Sequence, residues 1–194
     1  MIALIIWVKV LLLIAVLIVS IIFFMKSMWI WYAFWTGEEY FETTPAWVKT
    51  IGNYLISHNR GNNFLYDFGS SHGDFLFRLL KVSKNLRTIG VERDRIKMFY
   101  ARLHNIFQRN KHNPVFLRKD FMTTDISKAD VIFIYVPRIL LPQLKEKLQK
   151  ELGKKAIVIL YKISFVDWLP METIDTDYTH GISRNKIFIY QNPI

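Results

Sequence analysis

Residues 64–74 read Phe64-Leu-Tyr-Asp67-Phe-Gly69-Ser-Ser71-His-Gly73-Asp74, and Glu92 closes the next apolar run. An apolar strand enters a turn with glycines four residues apart, and a helical segment follows. Nineteen residues beyond the second glycine a carboxylate ends a second strand. This is the layout of a nucleoside-cofactor site at the carboxyl edge of a parallel sheet.

Asp67 separates the two candidate cofactors. A dinucleotide sets its pyrophosphate on the glycine turn and the helix N-terminus. A carboxylate two residues before the first glycine repels that group. S-adenosylmethionine offers an ammonium and a sulfonium instead, and a carboxylate at Asp67 attracts both. Glu92 can accept from the two ribose hydroxyls in either case.

The flanking sequence supplies the rest of an α/β domain. The chain has 194 residues, enough for one ordinary domain and an appendage. From Asn63 onward strands are expected at 64–68, 86–91, 114–118, 130–136 and 156–162, with helices at 73–83, 94–109 and 137–151. The strand runs are rich in Val, Ile and Phe, as strands buried on both faces are. Two further runs, 171–178 and 185–191, read as an antiparallel hairpin. Strand–helix alternation implies a parallel sheet with right-handed crossovers. Ahead of it, Thr44-Pro45 reads as an N-cap and a first helical position, with the helix continuing to Ser57.

The N-terminus has a different character. From Ile2 to Met25 the only charge is Lys9 and the only hydroxyl is Ser20. Roughly 20 such residues cross a bilayer core. A secretory signal peptide is the competing reading. The length of the run, the lack of a small-x-small cleavage site and the aromatic cluster Trp29, Trp31, Tyr32, Phe34 and Trp35 favour a retained single-pass anchor with an interfacial belt. The expected organisation is an anchor over 1–35, a polar linker over 36–44 and a folded domain over 45–194. Lys26 and Lys49 flank the anchor on the domain side, against Lys9 and the terminal amine on the other. That local balance decides little, and a cofactor made in the cytosol places the domain on the cytosolic side. The chain has no cysteine, which excludes disulfide frameworks and thiolate metal sites. Its formal net charge is +10. The basic run Arg93, Arg95, Lys97, Arg102, Arg109, Lys111, Arg118 and Lys119 is read either as a solvated helix face or as an attraction to anionic lipid headgroups. Nucleic acid is disfavoured as a partner by the anchor.

On Asp67-Phe-Gly69-Ser-Ser71-His-Gly73, Glu92, Asp120-Phe121, Asp130-Val-Ile-Phe-Ile-Tyr135-Val-Pro137 and the terminal hairpin, the chain resembles the class I S-adenosylmethionine-dependent methyltransferases over residues 43–194. The resemblance implies a Rossmann-like seven-stranded sheet with helices on both faces and a reversed last strand. It implies S-adenosyl-L-methionine as cofactor, held by Asp67, Gly69, Ser71, Gly73, Glu92, Asp120 and Phe121, with Phe121 at the adenine and Thr44 at the methionine end. Tyr135 and Pro137 line the methyl-acceptor pocket. Within the class the chain is similar to small membrane-anchored enzymes related to mitochondrial and archaeal lysine methyltransferases, in its anchor, its Thr-Pro and the phrase Ala129–Pro137. It departs from the pattern at Ser71, where the family turn has its middle glycine, and at His72 and Asp74. Serine at 71 fits a backbone of negative φ.

Each residue also has a plainer role. Asp67 suits a turn acid, Glu92 an exposed strand-end carboxylate, Asp120 a loop acid, Phe121 and Tyr135 core aromatics, Pro137 a helix start and Thr44 an N-cap. His72 reads as a surface group, and no histidine has metal-ligand spacing, so no metal is expected. Methyl transfer from a sulfonium to a nucleophilic acceptor needs no nucleophile or metal from the protein, only alignment of donor and acceptor, and no catalytic residue is assigned. The expected activity is methylation of a protein lysine. The alternatives are a membrane-soluble small molecule as acceptor, such as a quinone or lipid precursor, or a non-catalytic relative that binds a partner.

Overall fold

The computed structural model describes residues 2–36, 45–108, 114–179 and 182–191. They form two compact units, Met1–Glu42 and Thr43–Ile194.

The first unit is helix α1, Ile2–Thr36. Its segment Ile5–Met28, 24 residues of mean hydropathy 3.1, is long and apolar enough to cross a membrane. None of that segment is buried against protein. The helix continues through the aromatic cluster, of which Trp31 is described and exposed. The other four rings lie outside the described side chains.

The second unit is built on one seven-stranded sheet. In chain order come α2 (Pro45–Ser57), β1 (Phe64–Phe68), α3 (Asp74–Val82), β2 (Arg87–Val91), α4 (Arg95–Phe107), β3 (Val115–Leu117), β4 (Val131–Ile134), α5 (Leu141–Glu151), β5 (Ile157–Tyr161), β6 (Glu172–Thr179) and β7 (Ile182–Gln191). The strand order is β3-β2-β1-β4-β5-β7-β6. The first five strands run parallel, and β7 pairs antiparallel with both neighbours. The hairpin is tighter than the 179–183 loop expected from sequence, because pairing runs on to Thr179↔Ile182.

Period-2 alternation gives the sheet two apolar faces. Leu65, Val131, Phe133, Ile159 and Ile187 meet α2, α3 and α4 on one side. Tyr66, Phe68, Ile132, Ile134, Val158 and Tyr190 meet α5 and the Phe165–Trp168 loop on the other. On the first face α2 and α3 approach so closely that a Cβ on Gly52 would lie 2.6 Å from Val82 Cγ1.

The expected helix over 137–151 divides in two. Arg138–Leu140 is a 3-10 turn and α5 starts only at Leu141. Pro142 is the cause, since proline has no N–H to give and its ring clashes with the preceding turn, so it is confined to the first turn of a helix. β4 likewise stops at Ile134, two residues before the expected end.

Candidate cofactor and acceptor site

The site lies where the carboxyl ends of β1, β2 and β4 meet. β1 delivers Asp67 into the sheet between Gly90 of β2 and Phe133 of β4. The chain then reverses through residues 69–73. Gly69, Ser71 and Gly73 all have left-handed backbones, with φ of 78°, 49° and 83°. A serine fits this turn readily only with negative φ, and that condition is not met at Ser71. Serine sits where the resembling family has glycine, and it carries the left-handed strain, about 1–2 kcal/mol. One compensation is visible: the Ser71 N–H donates to Glu92 Oε2 at 3.1 Å.

The amides of the turn decide what it can hold. The Gly69 and Ser70 N–H groups both donate to the Val91 carbonyl, and the Gly73 N–H donates to that of Ser70. With Ser71 committed to Glu92, four of the five turn amides are used internally. A phosphate cradle needs such amides pointing at the ligand. Asp74 is the first residue of α3 and adds a carboxylate where a pyrophosphate would approach the helix.

Asp67 points the same way. It is 2% exposed, and its Oδ2 has no hydrogen-bond partner among the described residues. Burial, then the charge of Glu92, pushes its carboxyl well above the ordinary range. A buried carboxylate with a vacant oxygen requires a donor or a cation. The ammonium of S-adenosylmethionine meets that requirement, and a diphosphate does not. The residues present thus fit the cofactor.

Glu92 is half-buried and ties the turn to α4. Its Oε1 accepts from the Asp94 N–H at 2.9 Å, and Asp94 caps α4 by accepting from Ile96 and Lys97. Each Glu92 oxygen already holds one amide and keeps a further acceptor direction. Asp120 accepts from the Met122 N–H at 2.9 Å, which caps the 3-10 turn Phe121–Thr123. Arg93 lies 3.9 Å from its other oxygen. Phe121 stacks on Phe68, ring centroids 5.5 Å apart. Asp120 and Phe121 thus form a shelf beside the end of β1.

Of the residues expected at the acceptor pocket, Tyr135 follows β4, and its carbonyl would lie 3.2 Å from a Cβ on Gly69. Its ring tilts toward Tyr161 at 6.2 Å. Tyr161 stacks on Trp47 of α2 at 4.4 Å, and Trp47 stacks on Phe133. Pro137 is exposed and precedes the 3-10 turn. Asp130, quoted with this motif, is at the opposite end of β4, where it accepts from the Phe64 N–H at 2.9 Å and fixes β1 to β4. Thr44 lies outside the described residues. His72, expected at the surface, is half-buried, with Nδ1 3.1 Å from Ser71 Oγ and its ring 6.0 Å from Tyr100. Burial lowers its pKa, against the opposing pull of Asp74.

Three contributors to the site carry no motif of their own. Ser70 is buried with a hydroxyl that has no partner among the described residues. Gly90 faces it, and a Cβ there would lie 2.7 Å from both Ser70 Oγ and Phe116 Cδ1. Trp47 joins the ring cluster of Phe133 and Tyr161. A glycine inside a strand marks close approach and could have pointed to the first two. Trp47 had no comparable signal, because a helical tryptophan before an apolar face reads as core.

Six parallel strands with a reversed β7, and an acid–glycine turn at the carboxyl end of the first strand, define the class I S-adenosylmethionine-dependent methyltransferases. Within that class residues 67–172 match the model of the ANTKMT methyltransferase domain, and the chain belongs to that family. It is 27% identical to a lysine N-methyltransferase of Xenopus laevis named for its action on ATP synthase, over 71% of this chain and 62% of that protein. It is 24% identical to a protein-lysine N-methyltransferase of Saccharolobus islandicus, over 75% of this chain and 90% of that protein. The chain thus spans less than two thirds of the Xenopus protein. Among solved structures, the fold is similar to an RNA methyltransferase from Salinibacter ruber in complex with S-adenosyl-L-homocysteine. The TM-score is 0.64 at 21% identity, covering 75% of this chain and 92% of that one.

Proposed function

We propose that this protein is a membrane-anchored S-adenosylmethionine-dependent methyltransferase that methylates lysine on a protein. The observation that carries the cofactor half is the buried Asp67 carboxylate with a vacant oxygen, behind a turn whose amides are already used. The lysine half is supported by the protein-lysine methyltransferases to which the chain is similar. The anchor is supported by the length and apolarity of α1, and the cytosolic side by where the cofactor is made.

In this reading Asp67 neutralises the ammonium of the cofactor, and Gly69, Ser71 and Gly73 bring the backbone close to it. Glu92 accepts from the ribose hydroxyls, Asp120 and Phe121 bound the adenine, and Thr44 meets the methionine end. When bound, S-adenosylmethionine supplies a sulfonium methyl that a neutral amine takes by in-line displacement, the C–S electron pair leaving with the thioether. The protein must orient the amine and favour its uncharged form. The aromatic wall of Tyr135, Tyr161, Phe133 and Trp47 does the second by withholding water, and Pro137 borders the entrance. Alignment of donor and acceptor supplies several kcal/mol of the barrier reduction, about 7–11 at best.

The test is transfer of labelled methyl from S-adenosylmethionine by the full chain in membranes, with acid hydrolysis of the protein fraction. Label recovered as methyl-lysine supports the proposal. Label confined to the organic extract contradicts it in favour of a small-molecule acceptor.

A further inference from the structure

Helix α4 has two apolar faces. Met98 and Ala101 are buried against the sheet, and the Lys97 side chain is buried beside them. On the other side Ile96, Phe99, Tyr100, Leu103, Ile106 and Phe107 are all exposed, Phe99 by 63% and both Ile106 and Phe107 by 76%. At 3.6 residues per turn these six fall within an arc of about 120°, opposite the buried pair. The outer face of a domain helix is normally its polar face. Here that face consists of aliphatic and aromatic side chains, larger than the single exposed apolar residues a soluble surface tolerates.

The surrounding charge identifies the occupant. No acidic residue occurs between Arg95 and Phe107. Arg95 and Arg102 are exposed along one border of the apolar arc, Arg102 also donating one N–H to the Phe116 carbonyl. An apolar face with large aromatics and an arginine border matches the acyl–headgroup boundary of an anionic bilayer. The same chain carries α1, long and apolar enough to cross a membrane.

We propose that α4 is a second, interfacial membrane contact: its outer face lies in the headgroup region of an anionic leaflet with Phe99, Leu103 and Ile106 below the phosphates. This contact places the α4 end of the sheet, and with it the Glu92–Asp94 side of the cofactor site, at the lipid surface. The cost of leaving six apolar side chains in water is thereby removed.

The chain has no cysteine, so a single introduced one is labelled uniquely. Phe99→Cys, Ile106→Cys, a control Lys154→Cys and an anchor reporter Leu13→Cys are each made in the full chain and given a nitroxide. They are reconstituted in phosphatidylcholine vesicles with and without phosphatidylglycerol, and collisions with oxygen and with a water-soluble nickel chelate are compared. The expected result is that positions 99 and 106 become oxygen-accessible and shielded from nickel in the anionic vesicles, while position 154 stays nickel-accessible. Equal nickel accessibility at 99, 106 and 154 overturns the proposal, whatever position 13 reports about the anchor. Shielding from both reagents, with dipolar broadening that scales with protein density, also overturns it and assigns the face to a second copy.

Discussion

In the proposed reading Asp67 combines two roles that oppose each other. Its carboxyl is pushed well above the ordinary range by burial and by Glu92. The folded state therefore holds its proton more tightly than the unfolded chain does. That contribution to stability is fully present below the ordinary carboxylate pKa and is lost as pH rises toward the elevated one, by up to about 1.4 kcal/mol per pH unit. Asp67→Asn keeps the shape and removes the slope. Denaturation of the variant in mild detergent at neutral pH is expected to show a gain in stability. A stability–pH curve parallel to that of the parent contradicts this assignment. Ligand linkage has the opposite sign. A cation at Oδ2 favours the ionised form, so affinity for S-adenosylmethionine should rise with pH through the elevated pKa, which titration calorimetry at several pH values reads directly. Ser71 offers a second test at this scale. Ser71→Gly relieves the left-handed strain and should raise stability by about 1 kcal/mol in the same denaturation assay. Loss of stability would mean that the side chain does more than tolerate its backbone.

At the scale of elements, the sequence was informative where a pattern has one physical cause. Residues 64–68 are a strand and 45–57 a helix at their expected bounds, because an apolar run ending in a glycine turn and a proline-initiated amphipathic stretch each leave little choice. The hidden parts depend on contacts between elements. Nothing local reveals that Ser71 adopts positive φ, since Glu92 of the next strand holds it there. Nor does the sequence show that Asp130 ties β1 to β4 at the far end of the sheet. Gly52 looks like a helix weakness worth about 1 kcal/mol against alanine. Its contact with Val82 reverses the expectation. Gly52→Ala should destabilise by about 1–3 kcal/mol through overpacking of α2 on α3. A thermal midpoint above that of the parent would show that propensity outweighs the contact. Gly73→Ala should be costlier still, because its Cβ would lie 2.5 Å from Phe116 Cζ on a left-handed backbone.

For the whole molecule, the sheet's strand order and its single reversed strand place an acidic turn, a strand-end glutamate and an aromatic cluster at one edge. The N-terminal helix is long and apolar enough to cross a membrane, and if it is the proposed anchor the full chain should stay with membranes through alkaline carbonate washing. Release into the wash would contradict the anchor while leaving the cofactor site untouched. Everything proposed for the active site depends on Asp67 building a place for a cationic methyl donor. Calorimetric titration of the full chain in nanodiscs with S-adenosylmethionine, parent against Asp67→Asn, examines that dependence, with a nicotinamide dinucleotide as comparison ligand. Saturable binding is expected for the parent, with binding by the variant at least about tenfold weaker, equivalent to about 1.4 kcal/mol, and no binding of the dinucleotide. Equal affinity in parent and variant, or binding of the dinucleotide alone, would refute the assignment.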